Sequence, residues 1–206
     1  MIEELKKYNE FYYQNCSHGD EVPSCIFKFE DRGTKLILTA PHSTRSFINK
    51  QERFADLYTG AITEYVGKNT NTSTIIRQKY TPYKALISDF IGNNNLQEHY
   101  FLDIHGFEKD IAYDVCLGIG EMDKDSYPYL QEIVQTIQSF DLRVAINHEN
   151  YMGLRGLTGR YQRTYNKPNV IQMEMRRHLR DLYNNPENVQ KITIPMLMKI
   201  TDLYRL

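Results

Sequence analysis

Short β-rich runs alternate with helical segments along this chain, and that order limits its fold more than any other feature. The β-rich runs are CIFKFE, TKLILTA, STIIRQK, YFLDIHG, YDVCLGIG, LRVAIN and NVIQMEM. Apolar residues recur at helical spacing in segments 2–15, 53–68, 126–140 and 187–205. The alternation predicts a layered α/β fold with a mixed, mostly parallel central sheet and helices on both faces. The intervening DRGT predicts a hairpin turn between the first two strands.

The composition excludes several classes of protein. Since no repeat or linker interrupts the 206 residues, we expect one domain spanning 1–206. Lys plus Arg number 25 against 26 for Asp plus Glu, which leaves no basic surface for nucleic acid or an anionic membrane. No apolar stretch approaches the roughly 20 residues of a membrane span. The N-terminal residues lack the apolar core and the small-residue cleavage site of a secretory signal, and Cys16, Cys25 and Cys116 form no Cys/His cluster, so we expect a cytoplasmic protein without disulfides.

Three of the β-rich runs end in polar or ionisable residues of the kinds that catalytic and binding sites use. The first of these runs leads into His42. In LILTAPH, Pro41 lacks an N–H and ends the strand, so His42 begins a loop at the edge of the sheet. In open α/β sheets, ligands gather outside the carboxyl ends of the strands. His42 is therefore a candidate site residue, with an ordinary surface-loop histidine as the alternative.

The run YFLDIHG places a carboxylate and an imidazole on one face of a strand. Side chains alternate with period two, so Asp103 and His105 share a face while Leu102 and Ile104 occupy the other. The two can bind a metal together, or the aspartate can orient the imidazole by accepting its second ring N–H. A structural hydrogen bond at a strand end is the alternative.

The run NVIQMEM carries a single carboxylate among apolar residues. Gln172, Glu174 and Arg176 share a face at period two. A glutamate in partly apolar surroundings has a raised pKa and suits general acid and base catalysis. The alternative is a structural ion pair of Glu174 with Arg176, Arg177 or Arg180.

Two histidines and a carboxylate are the ligands of many catalytic zinc sites, which keep a fourth position for water. His42 and His105 supply the imidazoles. The carboxylate is either Glu52, in the loop after His42, or Asp56, at the head of the predicted helix over 53–68. We favour Asp56.

Four stretches together resemble the N-formylglutamate amidohydrolase family. They are APHSTRSF, RFADLYTGA, FLDIHGF and IQMEMRRHLR, and the resemblance covers roughly residues 34–180. It implies a three-layer αβα sandwich similar to zinc carboxypeptidases and to the succinylglutamate desuccinylase and polyglutamate hydrolase groups. The chain departs from many relatives after its PH motif, where it reads PHSTRSF rather than continuing with glycine or another small residue.

The resemblance also implies roles for individual residues. The zinc ligands would be His42, His105 and either Asp56 or Glu52. Glu174 would match the general base that activates water, and Asp103 would support a ligand by a hydrogen bond. Family members bind a substrate carboxylate through arginines. The candidates here are Arg45, Arg155, Arg160 and Arg163, of which we choose Arg160 and Arg163 because arginine offers a bidentate fork.

The expected function is zinc-dependent hydrolysis of an amide bond. The substrate would be an N-acyl amino acid resembling N-formylglutamate, or a small peptide, attacked by zinc-activated water with Glu174 as the base. One alternative is a non-catalytic protein on the same fold that binds an acidic small molecule. Another is an oligomer scaffold whose histidines are structural. The sequence leaves the exact substrate and the oligomeric state open.

Overall fold

A seven-stranded mixed sheet forms the centre of the protein in the computed structural model, which describes residues 1–22, 25–48 and 50–205. The strands are β1 (Phe27–Glu30), β2 (Leu36–Ala40), β3 (Ser46–Ile48), β4 (Gln51–Arg53), β5 (Ser73–Arg77), β6 (Tyr100–Phe107), β7 (Val115–Gly118), β8 (Val144–Ile146) and β9 (Val170–Arg176). The sheet order is β1-β5-β2-β6-β9-β7-β8, and β3 and β4 form a separate hairpin. Only the β1–β5 and β7–β9 pairs of the large sheet are antiparallel.

Helices precede, separate and follow the strands along the chain. They are α1 (Ile2–Ser17), α2 (Thr59–Asn69), α3 (Ile87–Asn93), α4 (Leu130–Gln138), α5 (Leu157–Tyr165), α6 (Pro186–Asn188) and α7 (Ile194–Asp202). Short 3-10 turns occupy Lys124–Ser126 and Arg177–Leu179, and a π-helical turn at Val189–Thr193 joins α6 to α7. Among the described residues, no helix combines the length and the apolar character that a membrane crossing requires.

The two faces of the sheet are covered by different helices. One face packs against α1, α2, α4 and α7 in the larger apolar core. The other packs against α3 and α5, which contribute Ile87, Ile91, Leu157 and Tyr161 to a smaller core. The predicted fold class, a three-layer αβα sandwich with a mostly parallel central sheet, is confirmed.

On the face covered by α3 and α5, the sheet changes from apolar to polar along its parallel strands. Near the amino ends of β2, β6 and β9, residues Ile37, Phe101 and Val170 are register partners in one apolar row. All three belong to the smaller core. Beyond this row the same face carries polar and ionisable side chains. Helices α3 and α5 therefore cover only part of this face.

Two polar rows follow toward the carboxyl ends of these strands. The first contains Thr39, Asp103 and Gln172, which are partners in register across β2, β6 and β9. The second pairs His105 with Glu174. Since parallel strands all end at the same edge, the period-two pattern of each strand brings these groups together.

The predicted hairpin between the first two strands is wrong. β5 lies between β1 and β2, pairing antiparallel with β1 and parallel with β2. The DRGT turn exists, but it is bonded to the start of β5: the Arg32 N–H donates to Ser73 Oγ at 2.8 Å, and the Ser73 N–H donates to Thr34 Oγ1 at 2.9 Å. These bonds hold the turn over β5, and β1 and β2 do not pair because β5 occupies the place between them.

The predicted helix over 53–68 begins later than expected. Gln51–Arg53 forms β4, Phe54 is exposed, and α2 starts at Thr59. Tyr58 has φ of 72°, a left-handed conformation that cannot continue an α-helix. Asp56 therefore lies in a loop before α2 rather than at its head. Helices α3 and α5 and the β3–β4 hairpin were not predicted.

Candidate active site

A cleft of 1330 Å³ opens at the carboxyl ends of β2, β6 and β9. Its wall includes the candidate residues His42, Asp56, Asp103, His105 and Glu174. All five are buried. The structure thus brings the main residues predicted from the sequence into one place, although they span much of the chain.

His105 lies at the centre of the cluster and contacts two carboxylates. Its Nδ1 is 2.9 Å from Asp56 Oδ2, and its Nε2 is 3.0 Å from Asp103 Oδ2. Asp103 Oδ1 also accepts a hydrogen bond from the Thr39 hydroxyl. Burial by itself would lower the pKa of His105, but the charges and hydrogen bonds of Asp103 and Asp56 outweigh it and raise the pKa well above its ordinary value.

Asp56 is positioned by the backbone of its loop. Its N–H donates to the carbonyl of His42 at 2.7 Å, and its own carbonyl accepts from the Thr59 hydroxyl at 2.7 Å. Arg53 lies 3.7 Å from Oδ1. Burial would raise the pKa of Asp56, but the hydrogen bond and charge of His105 outweigh it and lower the pKa. The side chain is therefore an ionised carboxylate.

His42 follows Pro41 at the end of β2 and is only 9% exposed, so it is not the surface-loop histidine of the alternative interpretation. Its Nδ1 lies 3.1 Å from Ser46 Oγ. The ring centre is 5.1 Å from that of His105. Burial lowers the pKa of His42 well below its ordinary value, so the ring is neutral. Within the described part of the chain, its Nε2 makes no hydrogen bond.

Glu174 is buried beside His105 and forms no arginine ion pair with any described residue. Its Oε1 accepts a hydrogen bond from Gln172 Nε2 at 2.9 Å. Arg176 and Arg177 pair with other carboxylates, and Arg180 donates to backbone carbonyls. Burial raises the pKa of Glu174 to about 7, with the charge of His105 opposing the rise. The alternative of a structural ion pair therefore does not describe this residue.

The carboxylate beside His105 belongs to Asp56 and not to Glu52. Glu52 lies in β4, where it accepts a hydrogen bond from Arg45 Nη1 at 2.6 Å and lies 3.7 Å from His18 Nε2. It reaches the wall of the cleft, but its charge is already paired with Arg45. This is the structural basis for choosing Asp56 as the third candidate ligand.

The arginines chosen for substrate binding lie in different places. Arg160, on α5, is partly buried and lines the cleft, whereas Arg163 is exposed and donates to the Leu154 carbonyl at 3.2 Å. Arg163 lines a second pocket of 490 Å³ between α3 and α5, which Arg160 also borders. Arg155 is exposed at the main cleft.

Several residues of the site were not assigned a role from the sequence. They are Ser46, which contacts His42; Thr39, which supports Asp103; Gln172, which bonds Glu174; and Arg53, which lies beside Asp56. Gln172 stands two residues before Glu174, so the period-two pattern alone signals a contact. Arg53 and Ser46 belong to the β3–β4 hairpin, which the sequence did not predict.

The donor atoms of the site suit zinc, although they do not surround a common point. Among residues 1–22, 25–48 and 50–205, no group of three or more His, Cys, Asp or Glu side chains is placed to hold a metal ion. The His105 Nδ1 to Asp56 Oδ2 distance is 2.9 Å, against about 3.4 Å between two ligands of one tetrahedral zinc ion. Two imidazoles with one carboxylate are a catalytic zinc set. The bond from Asp103 to the other His105 nitrogen is the usual support of such a ligand. By donor chemistry, the residues fit the metal.

Comparisons with known proteins support the fold. No protein-family model matches the sequence, and no curated protein matches it. An N-formylglutamate amidohydrolase structure from Ralstonia eutropha JMP134 is similar at a TM-score of 0.59 and 14% identity, over 87% of this chain and 98% of that one. A bacteriophage poly-γ-glutamate hydrolase is similar at a TM-score of 0.54 and 12% identity, over 89% and 93%. At these identities the likeness shows a shared fold, so the resemblance seen in the sequence is confirmed at that level.

Proposed function

We propose that this chain is a zinc-dependent amidohydrolase in which His42, Asp56 and His105 hold the metal and Glu174 is the general base. The substrate is an N-acyl amino acid resembling N-formylglutamate, or a short peptide. The convergence of a neutral imidazole, a histidine held between two carboxylates and a buried glutamate in one cleft carries this proposal. The names of the two similar structures, both hydrolases of amides, support it.

The role of Glu174 follows from its surroundings. Zinc bound at the site would polarise the scissile carbonyl and acidify a water molecule. Glu174 accepts a proton from the attacking water and returns it to the leaving amine, and a pKa of about 7 suits both transfers. Gln172 donates to Oε1 and so orients the carboxyl group. Asp103 fixes the ring of His105 by bonding Nε2.

The cleft is suited to an anionic substrate of moderate size. Its volume of 1330 Å³ exceeds the roughly 300–1,000 Å³ of ordinary small-molecule pockets, so an acyl amino acid or a short peptide fits. Arg53, Arg155 and Arg160 line it. A guanidinium group binds a carboxylate with two parallel hydrogen bonds, so these arginines are the candidates for the acidic group of the substrate. Arg163, outside the cleft, is the weaker candidate.

The test combines metal analysis with an activity screen. Protein purified without chelators is analysed for metal, and N-formylglutamate, other N-acyl amino acids and short peptides are then assayed with and without added Zn²⁺. We expect about one zinc per chain and hydrolysis that a chelator abolishes. Zinc-loaded, folded protein that cleaves none of these amides would overturn the proposal.

A second candidate is a non-catalytic protein that binds an acidic small molecule. Both ring nitrogens of His105 are already bonded to carboxylates, so the cluster is satisfied without a metal. This function predicts tight binding of an N-acyl amino acid in the presence of EDTA and no turnover with zinc. Isothermal titration calorimetry with the same compounds separates the two candidates.

A further inference from the structure

Arg180 lies in the wall of the cleft that holds the candidate site and bonds three separate segments of backbone. It is only 1% exposed. Its Nε donates to the Met175 carbonyl at 3.2 Å, its Nη1 to the Leu57 carbonyl at 2.8 Å and its Nη2 to the Phe107 carbonyl at 3.2 Å. The guanidinium group carries five N–H donors fixed in one plane, so it can donate to three carbonyls at once.

The three carbonyls belong to the segments that carry the site. They come one residue after Asp56, one residue after Glu174 and two residues after His105. The first segment is a loop, whereas the other two are the carboxyl ends of the paired strands β6 and β9. The Arg180 guanidinium group therefore connects the Asp56 loop to β6 and β9, the strands that carry His105 and Glu174.

Gly106 provides the space for this side chain. A Cβ atom on Gly106 would lie 2.2 Å from Arg180 Nε and 2.4 Å from Cζ, distances that real contacts do not reach. Gly106 is not among the residues with positive φ. Steric room for the guanidinium group, rather than backbone conformation, thus explains the glycine that follows His105.

Among the described residues, the positive charge of Arg180 is only weakly paired with a carboxylate. The nearest carboxylate oxygen in the described part of the chain is Glu108 Oε1 at 3.7 Å, on a side chain that is 55% exposed. Burying a guanidinium group without a close partner is costly. A side chain that only linked backbone carbonyls would not need a positive charge. The buried carboxylates of Asp56 and Glu174, by contrast, are stabilised by a cation nearby.

We infer that Arg180 is a positioning residue of the candidate site: its guanidinium group holds the Asp56 loop against β6 and β9 and so sets the Asp56–His105 contact. The effect on turnover rests on the proposed function, whereas the effect on the geometry of the site does not. Arg180→Lys keeps the positive charge but loses the planar set of N–H donors, and Arg180→Met loses both.

The geometric part is tested on the full-length protein as purified, by the ¹⁵N and ¹H signals of the His105 ring in NMR spectra at a fixed pH. We expect these signals to shift in Arg180→Lys and further in Arg180→Met, because the Asp56 contact with Nδ1 loosens. Leu197→Ala, a buried position on α7, is the control for lost stability and should leave the signals in place. Unchanged His105 signals in folded Arg180→Lys and Arg180→Met would overturn the inference.

The catalytic part is tested by a double-mutant cycle with Gly106. We expect Gly106→Ala to lower kcat by about 100-fold with little change in KM, because misplacing Asp56 and His105 weakens interactions made in the transition state. In the Arg180→Met background the same alanine should cost almost nothing more, because the guanidinium group it displaces is absent. If the losses in kcat caused by the two substitutions were additive in the double variant, the link between Gly106 and Arg180 would be wrong. If the wild-type protein hydrolyses no amide, the proposed function fails, while the NMR signals still decide the role of Arg180.

Discussion

At the scale of single residues, the site is organised around one histidine that is held from both sides. His105 contacts Asp56 through Nδ1 and Asp103 through Nε2, and Glu174 is its register partner on the next strand. Burial raises the pKa of Glu174 to about 7, whereas the charges and hydrogen bonds of Asp103 and Asp56 outweigh burial at His105 and raise its pKa well above the ordinary value. The protonated form of the His105 ring is therefore favoured between its two carboxylates.

Replacing Glu174 tests its part in proton transfer. Glu174→Gln keeps the size of the side chain and the ability to accept from Gln172, but it removes the base. We expect kcat to fall by about 10²–10⁴, with zinc content by elemental analysis unchanged. A variant that retains wild-type turnover with zinc bound would exclude Glu174 as the base.

Asp103 is predicted to act on the metal through His105. Asp103→Asn keeps an acceptor for the Thr39 hydroxyl but removes the negative charge beside Nε2. We expect zinc affinity to fall by about 10–100-fold, measured by competition with a chromogenic chelator. Asp202→Asn, an exposed carboxylate on α7, serves as the control. Equal affinities in the wild type and Asp103→Asn would contradict the supporting role.

At the scale of elements, the turn after β9 is held by one carboxylate. Asp181 Oδ1 accepts the N–H groups of Tyr183 and Asn184, each at 3.0 Å, and Oδ2 accepts from Asn184 Nδ2 at 2.8 Å. Arg177 Nε lies 3.3 Å from Oδ2. These bonds close the turn that follows Arg180 and leads to α6, so Asp181 stabilises the segment from which the buried arginine extends.

This carboxylate should make stability depend on pH. Burial would raise the pKa of Asp181, but the bonds from Asn184 outweigh it and lower the pKa to about 2, against about 3.9 in an unfolded chain. A lowered pKa stabilises the fold above pH 4, and the contribution is lost as the pH falls through 2. We expect the wild type to exceed Asp181→Asn by about 2 kcal/mol in free energy of unfolding at pH 7.

Urea denaturation between pH 2 and pH 7 measures this difference. The gap between the wild type and Asp181→Asn should narrow steadily as the pH falls below about 4. Asp202→Asn, whose partner Arg205 is a surface residue, should change the free energy of unfolding by less than about 0.5 kcal/mol. A gap that stays constant over the whole range would contradict the lowered pKa of Asp181.

At the scale of the whole molecule, the candidate ligands belong to three parts of the fold. His42 follows β2, Asp56 lies before α2, and His105 is near the end of β6. A ligand that binds all three stabilises only the folded chain, because the unfolded chain does not bring them together. Metal binding is therefore expected to raise the free energy of unfolding of the whole chain.

Zinc should raise the melting temperature of the wild type but not of His105→Ala. At a free concentration of 100 times Kd, the gain in free energy of unfolding is about 2.7 kcal/mol. For a chain of this size that corresponds to an increase in Tm of about 5–10 °C, measured by differential scanning fluorimetry before and after EDTA. The same increase in both proteins would place the zinc elsewhere.

Much of the architecture follows from local patterns that the sequence displays. Strands and helices in alternation predict the layered α/β fold, and period two on β6 and β9 places Asp103 with His105 and Gln172 with Glu174. These predictions succeed because a side chain's direction along a strand depends only on its neighbours in the chain.

Strand order, by contrast, depends on long-range packing, and only the tertiary structure decided it. The pairing of β6 with β9 sets His105 opposite Glu174, and the insertion of β5 separates β1 from β2. The loop after the unpredicted β3–β4 hairpin brings Asp56, and not Glu52, to His105. The sequence by itself determined which residues face together on each strand. Which strands adjoin depends on how the whole sheet buries its apolar surface, and no segment of the chain contains that information alone.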